Sequence, residues 1–433
     1  MTARSRRRLA RAGYSLLLRI AVPLYWLRLR WRARREPLYG TAIGERFGFY
    51  RERVTPGALW IHAVSLGETR AAAPLLDALR AARPGVRFVL THGTATGRAA
   101  GRALLKDGDC QLWLPFDTPG AVRRFLRHVA PAAGVLMETE IWPSLLAEAS
   151  RRDVPVVLAN ARLSERSRRR GARVDALLRP AFASLAVALA QSDADAARLR
   201  DAGAREATVV GNLKYDIAPD PALLARGRDW RDGIARGIVL AASTREGEEE
   251  ELLAAWRERA APRPLLVVVP RHPQRFDAVA AAIAAAGFSL SRRSAWPGAT
   301  PPRDAGDLDV WLGDSMLEMP AWYALADVAL LGGSFAPLGG QNLIEAAACG
   351  CPIVMGPHTF NFSEAAALAL AAGAATRVAD MVEGVTVASA LAGSAAAARR
   401  AEQSRRALAF AQAHRGAAAR MASRIAAAIP APR

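Results

Sequence analysis

The 433-residue chain is predicted to be an α/β protein of two doubly wound parallel-sheet domains. Three observations predict it. The chain is too long for one compact core, so two domains of roughly 150 to 200 residues are expected. Apolar residues make up 52% of it, which excludes disorder. Val/Leu/Ile runs recur roughly every 20 to 30 residues between helical stretches, the rhythm of parallel strands joined by helices. The expected divisions are a basic amphipathic segment at 1–39, a first domain at 40–216, a second at 217–394 and an Ala/Arg-rich helix at 395–433.

The net charge of +19 is unevenly placed. Residues 1–40 hold eleven arginines against the single acid Glu36, so +10 of the excess sits there. Lys106 and Lys214 are the only lysines among 59 basic residues, an arginine bias that reads as high-GC coding, so part of the basicity carries little meaning. The three cysteines fall in no metal or disulfide spacing, and Cys349-Gly350-Cys351 is too tight for a CxxC site. A reducing, cytosol-facing compartment follows.

The first element is the stretch LARAGYSLLLRIAVPLYWLRLRW, residues 9–31. Arg19 and Arg28 cut its apolar part well below the roughly 18 to 20 uncharged residues of a membrane span, and no small-residue cleavage site follows it. Leu17, Ile20, Leu24 and Leu27 share one helical face, Arg8, Arg11 and Arg19 the other, and Tyr25, Trp26 and Trp31 lie near the end. That suits a helix lying in the headgroup region of an anionic membrane. The competing reading is a helix that covers the protein's own core and snorkels its arginines.

In the first domain, strands are expected at 59–63, 87–91, 111–114, 134–137, 154–159, 186–189 and 208–210, a doubly wound series. After the first comes Ser65-Leu66-Gly67-Glu68, a capping box in which Ser65 bonds the Glu68 amide and Glu68 bonds back to the Ser65 amide. An ionised carboxylate at that helix start, beyond the end of a parallel strand, is equally placed to accept a proton from a substrate hydroxyl, and both readings stand. The fourth strand ends in VLMETEIWP, where Glu138 and Glu140 precede Trp142-Pro143. First-turn acids commonly match a helix dipole, but two acids and a tryptophan near Glu68 are a stronger signal. GNLKYD, 211–216, keeps Lys214 in a chain that uses arginine almost everywhere, either by chance, as at Lys106, or because a compact ammonium must meet a carboxylate or phosphate.

Pro219, Asp220 and Pro221 mark the expected linker. Second-domain strands follow at 238–242, 265–269, 310–312, 328–331 and 353–355, and residues 291–308 are expected to be the least structured part. Pro270, Arg271 and His272 follow the 265–269 strand, either as a plain surface loop or as a place where cations serve a bound anion. The stretch LLGGSFAPLGGQNLIEAAACGCPIVMGP, 330–357, is the most specific: a Gly332-Gly333-Ser334 turn, a Gly339-Gly340 turn, then a helix carrying Gln341, Asn342 and Glu345. Such glycines let backbone amides approach a phosphate, and Glu345 is placed to take ribose hydroxyls. A final Ala/Arg-rich helix is expected from 395 to 429. No Walker A, GxGxxG, HExxH or EF-hand sequence is present, and nothing calls for a metal or cofactor.

GERFGFY, WIHAVSLGE, METEIWP, GNLKYD, PRHPQRF, GDSMLEM and the 332–362 stretch, in this order and spacing, closely resemble the 3-deoxy-D-manno-octulosonic acid (Kdo) transferases of Gram-negative lipopolysaccharide synthesis. The basic N-terminus is similar to that family's membrane-associating segment. The resemblance implies a GT-B glycosyltransferase fold, two Rossmann-like domains facing across a cleft, on the cytoplasmic face of the inner membrane. It implies transfer of Kdo from CMP-Kdo to the tetraacyl glucosamine disaccharide bisphosphate precursor of lipid A, with no nucleic-acid partner. It assigns Glu68 as general base, Glu138 and Lys214 as transition-state supports, and Ser65, Gly67, Glu140 and Trp142 to the acceptor side. The CMP site falls on Pro270, Arg271 and His272, on Met316, Leu317 and Glu318, on Gly332, Gly333 and Ser334, and on Asn342, Leu343, Ile344 and Glu345. Two positions depart: Ser144 stands where the family usually has Asn, and Leu317 where it usually has Gly. The rivals are another GT-B transferase or epimerase using a UDP-sugar, and a non-catalytic membrane- or nucleic-acid-binding protein. The second leaves the glycine-helix stretch and the acids unexplained, and the α/β halves lack aromatic-basic interleaving.

Overall fold

The structure, a computed structural model, describes residues 2–298 and 300–429. They form two compact units, residues 2–217 with 415–429 and residues 218–414.

The first unit is built on β1 (Leu59–His62), β2 (Phe88–His92), β3 (Cys110–Trp113), β4 (Ala133–Met137), β5 (Val156–Ala161), β6 (Val187–Ala190) and β7 (Ala207–Val209). They pair in parallel in the order β3-β2-β1-β4-β5-β6-β7. The Val/Leu/Ile runs form strands because both sheet faces are covered. Period two divides them: Leu59 and Ile61 join Phe88, Leu90, Val135 and Met137 on one face, while Trp60 joins Val89, Leu112 and Leu136 on the other. β5 starts two residues later than expected because Asp153, with φ of 54°, turns the chain before Pro155. β1 lies between β2 and β4, so the windings diverge there, and the loops after β1 and β4 open at the topological switch point.

The N-terminal helix α1 (Ala3–Arg32) combines the two readings of its sequence. Val22 and Leu29 are buried against the unit, and the Tyr14 hydroxyl donates to Asp117 Oδ2 at 2.9 Å. Leu16, Ile20, Leu24, Leu27 and Trp31, spaced three or four residues apart, form an outward apolar stripe, each more than half exposed. Among the described residues no single helix is long and apolar enough to cross a membrane.

The expected helix over 395–429 is instead two, Ala397–Ala413 in the second unit and Ala417–Ala428 in the first. Residues 430–433 of the expected division 395–433 lie outside the described residues. The break is Gly416, whose φ of 92° no helix accommodates. Asp216 caps the new start, accepting from Gly416 N at 2.5 Å and Ala418 N at 2.7 Å. Met421 and Ile425 of this last helix pack into the core that also holds Leu75, Leu76 and Leu79 of the helix Leu66–Ala82. Each such fully buried side chain stabilises by about 1.5–3 kcal/mol.

The second unit has β8 (Ile238–Thr244), β9 (Leu265–Pro270), β10 (Leu290–Arg292), β11 (Val310–Leu312), β12 (Val328–Leu331), β13 (Ile353–Met355) and β14 (Ala375–Arg377). Their parallel order is β10-β11-β9-β8-β12-β13-β14, so its switch point lies between β8 and β12. The segment 291–308, expected to be least structured, begins inside β10 and is pinned by tryptophans. Trp296 is buried against Trp230, Trp311 and Trp322, with ring centroids 5.3, 4.9 and 5.9 Å away.

Candidate active site

Glu68 stands in the first turn of the helix Leu66–Ala82, directly after β1. Ser65 caps that helix, its Oγ accepting from Glu68 N at 3.4 Å. The reach-back bond differs from the expected one: Glu68 Oε2 accepts from Val64 N at 2.8 Å, and Oε1 accepts from the Ser65 hydroxyl at 2.9 Å. The carboxylate thus folds over the mouth of β1 towards the residue preceding the cap. Burial pushes its pKa above the ordinary carboxylate range, with Glu138 adding to the shift and the Val64 bond opposing it.

Glu138 follows β4, the neighbour of β1, and holds φ of 58°, a left-handed conformation rare for a residue with a side chain. Such strain persists where the surroundings fix it, and it clusters at functional positions. Lys214 enters from the turn Leu213–Asp216, where Leu213 is fully buried and its amide donates to Asn160 Oδ1 at 3.1 Å. Burial lowers the Lys214 pKa and Arg162 lowers it further, while Glu138 and Glu68 raise it. Two acids and two cations therefore act on one another around the end of β1. Arg162, which follows β5, is absent from the sequence expectations because one more arginine carries no signal in this chain.

Glu140 completes the group. Burial first and Glu68 second push it up to about 7, with Glu138 adding and the Trp142 indole opposing, although that indole N–H completes no hydrogen bond. With its folded-state pKa above the unfolded value, the stability linked to Glu140 is fully present below the ordinary carboxylate range and is lost as pH rises through about 7. Glu140→Gln is therefore expected to match the parent at about pH 4 and exceed it at about pH 8 by up to about 3 kcal/mol. Denaturant melts at the two pH values check this, and parallel losses in parent and variant would remove Glu140 from the cluster.

In the second unit the loop after β8 organises the expected donor residues. Thr244 O accepts from Arg271 N at 3.0 Å, which holds the turn after β9. Arg271 is exposed and His272 half-buried. The His272 pKa is lowered by burial, then by Arg245 and Arg271, so these cations share a neighbourhood suited to an anion. Glu318 does not offer a free carboxylate. It accepts from Arg226 at 3.0 Å, from Arg293 at 3.0 and 3.1 Å and from the Ser315 hydroxyl at 2.5 Å, leaving Met316 and Leu317 exposed beside it.

The glycine turn differs from its expected role as an open phosphate cradle. Glu248, 1% exposed, accepts from Gly333 N at 2.7 Å and from Phe335 N at 3.1 Å. Ser334 donates to Leu331 O and accepts from Gly356 N, so it too is internal. Gly332 is glycine because a Cβ there would lie 2.4 Å from Ser243 O. Leu343 and Ile344 are core residues, which leaves only their main chain for a ligand. Asn342 caps their helix, accepting from Ile344 N at 3.3 Å, and Glu345 stands half-buried in its first turn. Among the described residues no group of three or more His, Cys, Asp or Glu could hold a metal ion.

The profile of the family described as 3-deoxy-D-manno-octulosonic-acid transferase (kdotransferase) matches residues 41–217. The 3-deoxy-D-manno-octulosonic acid transferase of Bordetella pertussis is 49% identical over 386 residues, 86% of this chain and 89% of that protein. The chain belongs to the Kdo transferase family. The transferase of Haemophilus influenzae is 36% identical over 81% of this chain and 83% of its own length. A solved glycotransferase of kitacinnamycin superposes with a TM-score of 0.52 at 17% identity, covering 87% of this chain and all of that one, a likeness of fold alone. The protein is thus a glycosyltransferase of the Kdo transferase family with the GT-B class of α/β architecture.

The two departures from the family's pattern have different structural weight. Leu317 has φ of 70° and an exposed side chain, so it occupies a conformation glycine adopts freely at a cost of about 1–2 kcal/mol. Ser144 is buried, and its amide donates to Asp117 Oδ2 at 2.9 Å. Its backbone is held whatever its side chain is.

Proposed function

We propose that this Kdo transferase moves Kdo from CMP-Kdo to a hydroxyl of the tetraacyl glucosamine disaccharide bisphosphate precursor of lipid A. The observation that carries this reading is the cluster of Glu68, Glu138, Glu140 and Lys214 around the switch point of the first sheet. The acceptor oxygen attacks the anomeric carbon of Kdo as the bond to the CMP phosphate breaks, in one displacement. Glu68, already desolvated, takes the hydroxyl proton. Glu138 supports the positive charge that develops as the sugar becomes oxocarbenium-like, Lys214 supports the negative charge that develops on the departing phosphate, and Ser65, Gly67, Glu140 and Trp142 face the acceptor. CMP departs as a monoester dianion, whose phosphate Arg271 and His272, with the main chain near Asn342, are suited to hold, while the side chain of Glu345 is suited to take its ribose hydroxyls.

The outward stripe of α1, flanked by arginines, supports peripheral attachment to the anionic cytoplasmic face of the bacterial inner membrane. An acceptor that stays in the bilayer makes such attachment useful. The test is a transfer assay offering CMP-Kdo and UDP-sugars in parallel with the tetraacyl acceptor, using protein floated with anionic vesicles. Product from CMP-Kdo alone, and flotation lost at high salt, are expected. Turnover of a UDP-sugar with none of CMP-Kdo would establish the epimerase or UDP-transferase reading, and flotation resistant to salt and carbonate would overturn peripheral attachment.

A further inference from the structure

We propose that Asp117, gripped by Tyr14 of α1, is a positioning residue for the loop 138–142, so that the seating of the N-terminal helix sets the geometry of the acid cluster. Asp117 is 3% exposed and follows β3. Its Oδ1 accepts from Leu145 N at 2.8 Å, and its Oδ2 accepts from both Ser144 N and the Tyr14 hydroxyl at 2.9 Å. The recipient helix, Pro143–Arg151, has no cap of its own: Trp142 stands at the N-cap position without a side-chain bond, and proline takes the first turn. Asp117 supplies that cap from another element.

The loop carrying Glu138 and Glu140 hangs between β4 and this helix. At one end Glu138 N donates to Ala159 O at 2.9 Å; at the other, Trp142 leads straight into the capped turn. The position of Glu140 and Trp142 is therefore set by where the helix begins, and Asp117 fixes that point. α1 holds the same segment a second time, Tyr25 meeting Phe116 edge-on with centroids 6.0 Å apart. One helix face thus presses on the chain that caps the acid loop, while its opposite face is the outward stripe.

The inference rests on the acid cluster being the active site, so its test includes a readout independent of turnover. Full-length Tyr14→Phe and Asp117→Asn are examined in detergent micelles, where tethering to a bilayer is not limiting. Amide exchange at 144–146 is expected to accelerate about tenfold in Asp117→Asn and by a smaller factor in Tyr14→Phe, with β1 and β4 unchanged. kcat is expected to fall by about tenfold while KM for CMP-Kdo holds, and the double variant should be no worse than Asp117→Asn. Unchanged exchange at 144–146 in both variants would overturn the proposal, as would faster exchange with kcat intact. Should Glu68→Gln keep full turnover, the active-site reading fails separately, and the exchange result still reports on the cap.

Discussion

Glu68→Gln is expected to lose transfer by about 10²- to 10⁴-fold, the usual range for a general base, while keeping its melting temperature within a few degrees. The structure separates the two roles of this carboxylate. As a cap it accepts from Val64 N and from the Ser65 hydroxyl. Glutamine retains one oxygen for the Val64 amide, and its new amino group can donate to Ser65 Oγ, so the cost is about 0.5–1.5 kcal/mol, or about 1–6 °C for a unit of this size. Relief of the repulsion from Glu138 offsets part of that. As a base it has no substitute, because an amide cannot take the proton. If activity and melting temperature fall in step, Glu68 is a cap only, and the base lies at Glu138 or Glu140.

The pH profile follows from the same contacts. A base works ionised, and burial together with Glu138 holds the proton on Glu68 above the ordinary carboxylate range. Activity should therefore decline on acidification at a pH higher than a solvated glutamate would give. Glu138→Gln removes one raising cause and should move that limb to lower pH, even where it also lowers the maximum rate.

Much of this arrangement was legible from local pattern. Runs such as Leu-Leu-Val-Val-Val at 265–269 read as strands because a parallel strand covered on both faces has no polar alternate. β10 and β14 were not legible, being three-residue edge strands whose sequences, Leu-Ser-Arg and Ala-Thr-Arg, carry no apolar run. Glu138 stood out because it closes a strand, and Glu68 because it opens the helix that follows one. Asp117 and Glu248 did not, and for a common reason: what makes them important lies far along the chain. Asp117 meets Tyr14 across 103 residues. Glu248 sits in Glu-Gly-Glu-Glu-Glu, which reads as a solvated helix start, and is buried by a loop 85 residues downstream.

Glu248→Ala is accordingly expected to be strongly destabilising to the second unit. The carboxylate accepts from Arg245 N at 2.9 Å and Gly333 N at 2.7 Å through one oxygen, and from Phe335 N at 3.1 Å and Ala336 N at 3.4 Å through the other. It also stands in the first turn of the helix Glu248–Arg257, where negative charge is favoured. Truncation leaves the buried Gly333 amide without a partner and those of Phe335 and Ala336 half-buried, at about 1–3 kcal/mol for each fully buried group. A total loss of about 3–5 kcal/mol is expected. Glu248→Gln keeps the shape but turns an amino group on two donors, so it should cost only somewhat less. Because the loop released leads through Gly339-Gly340 to Asn342 and Glu345, KM for CMP-Kdo should rise in any variant that still folds. The pH limb set by Glu68 in the other unit should stay where it is. Calorimetric melting with donor titration distinguishes the outcomes. A variant that melts with the parent and binds CMP-Kdo as tightly would show that the glycine turn holds its shape without the carboxylate, returning its amides to the role of an anion cradle.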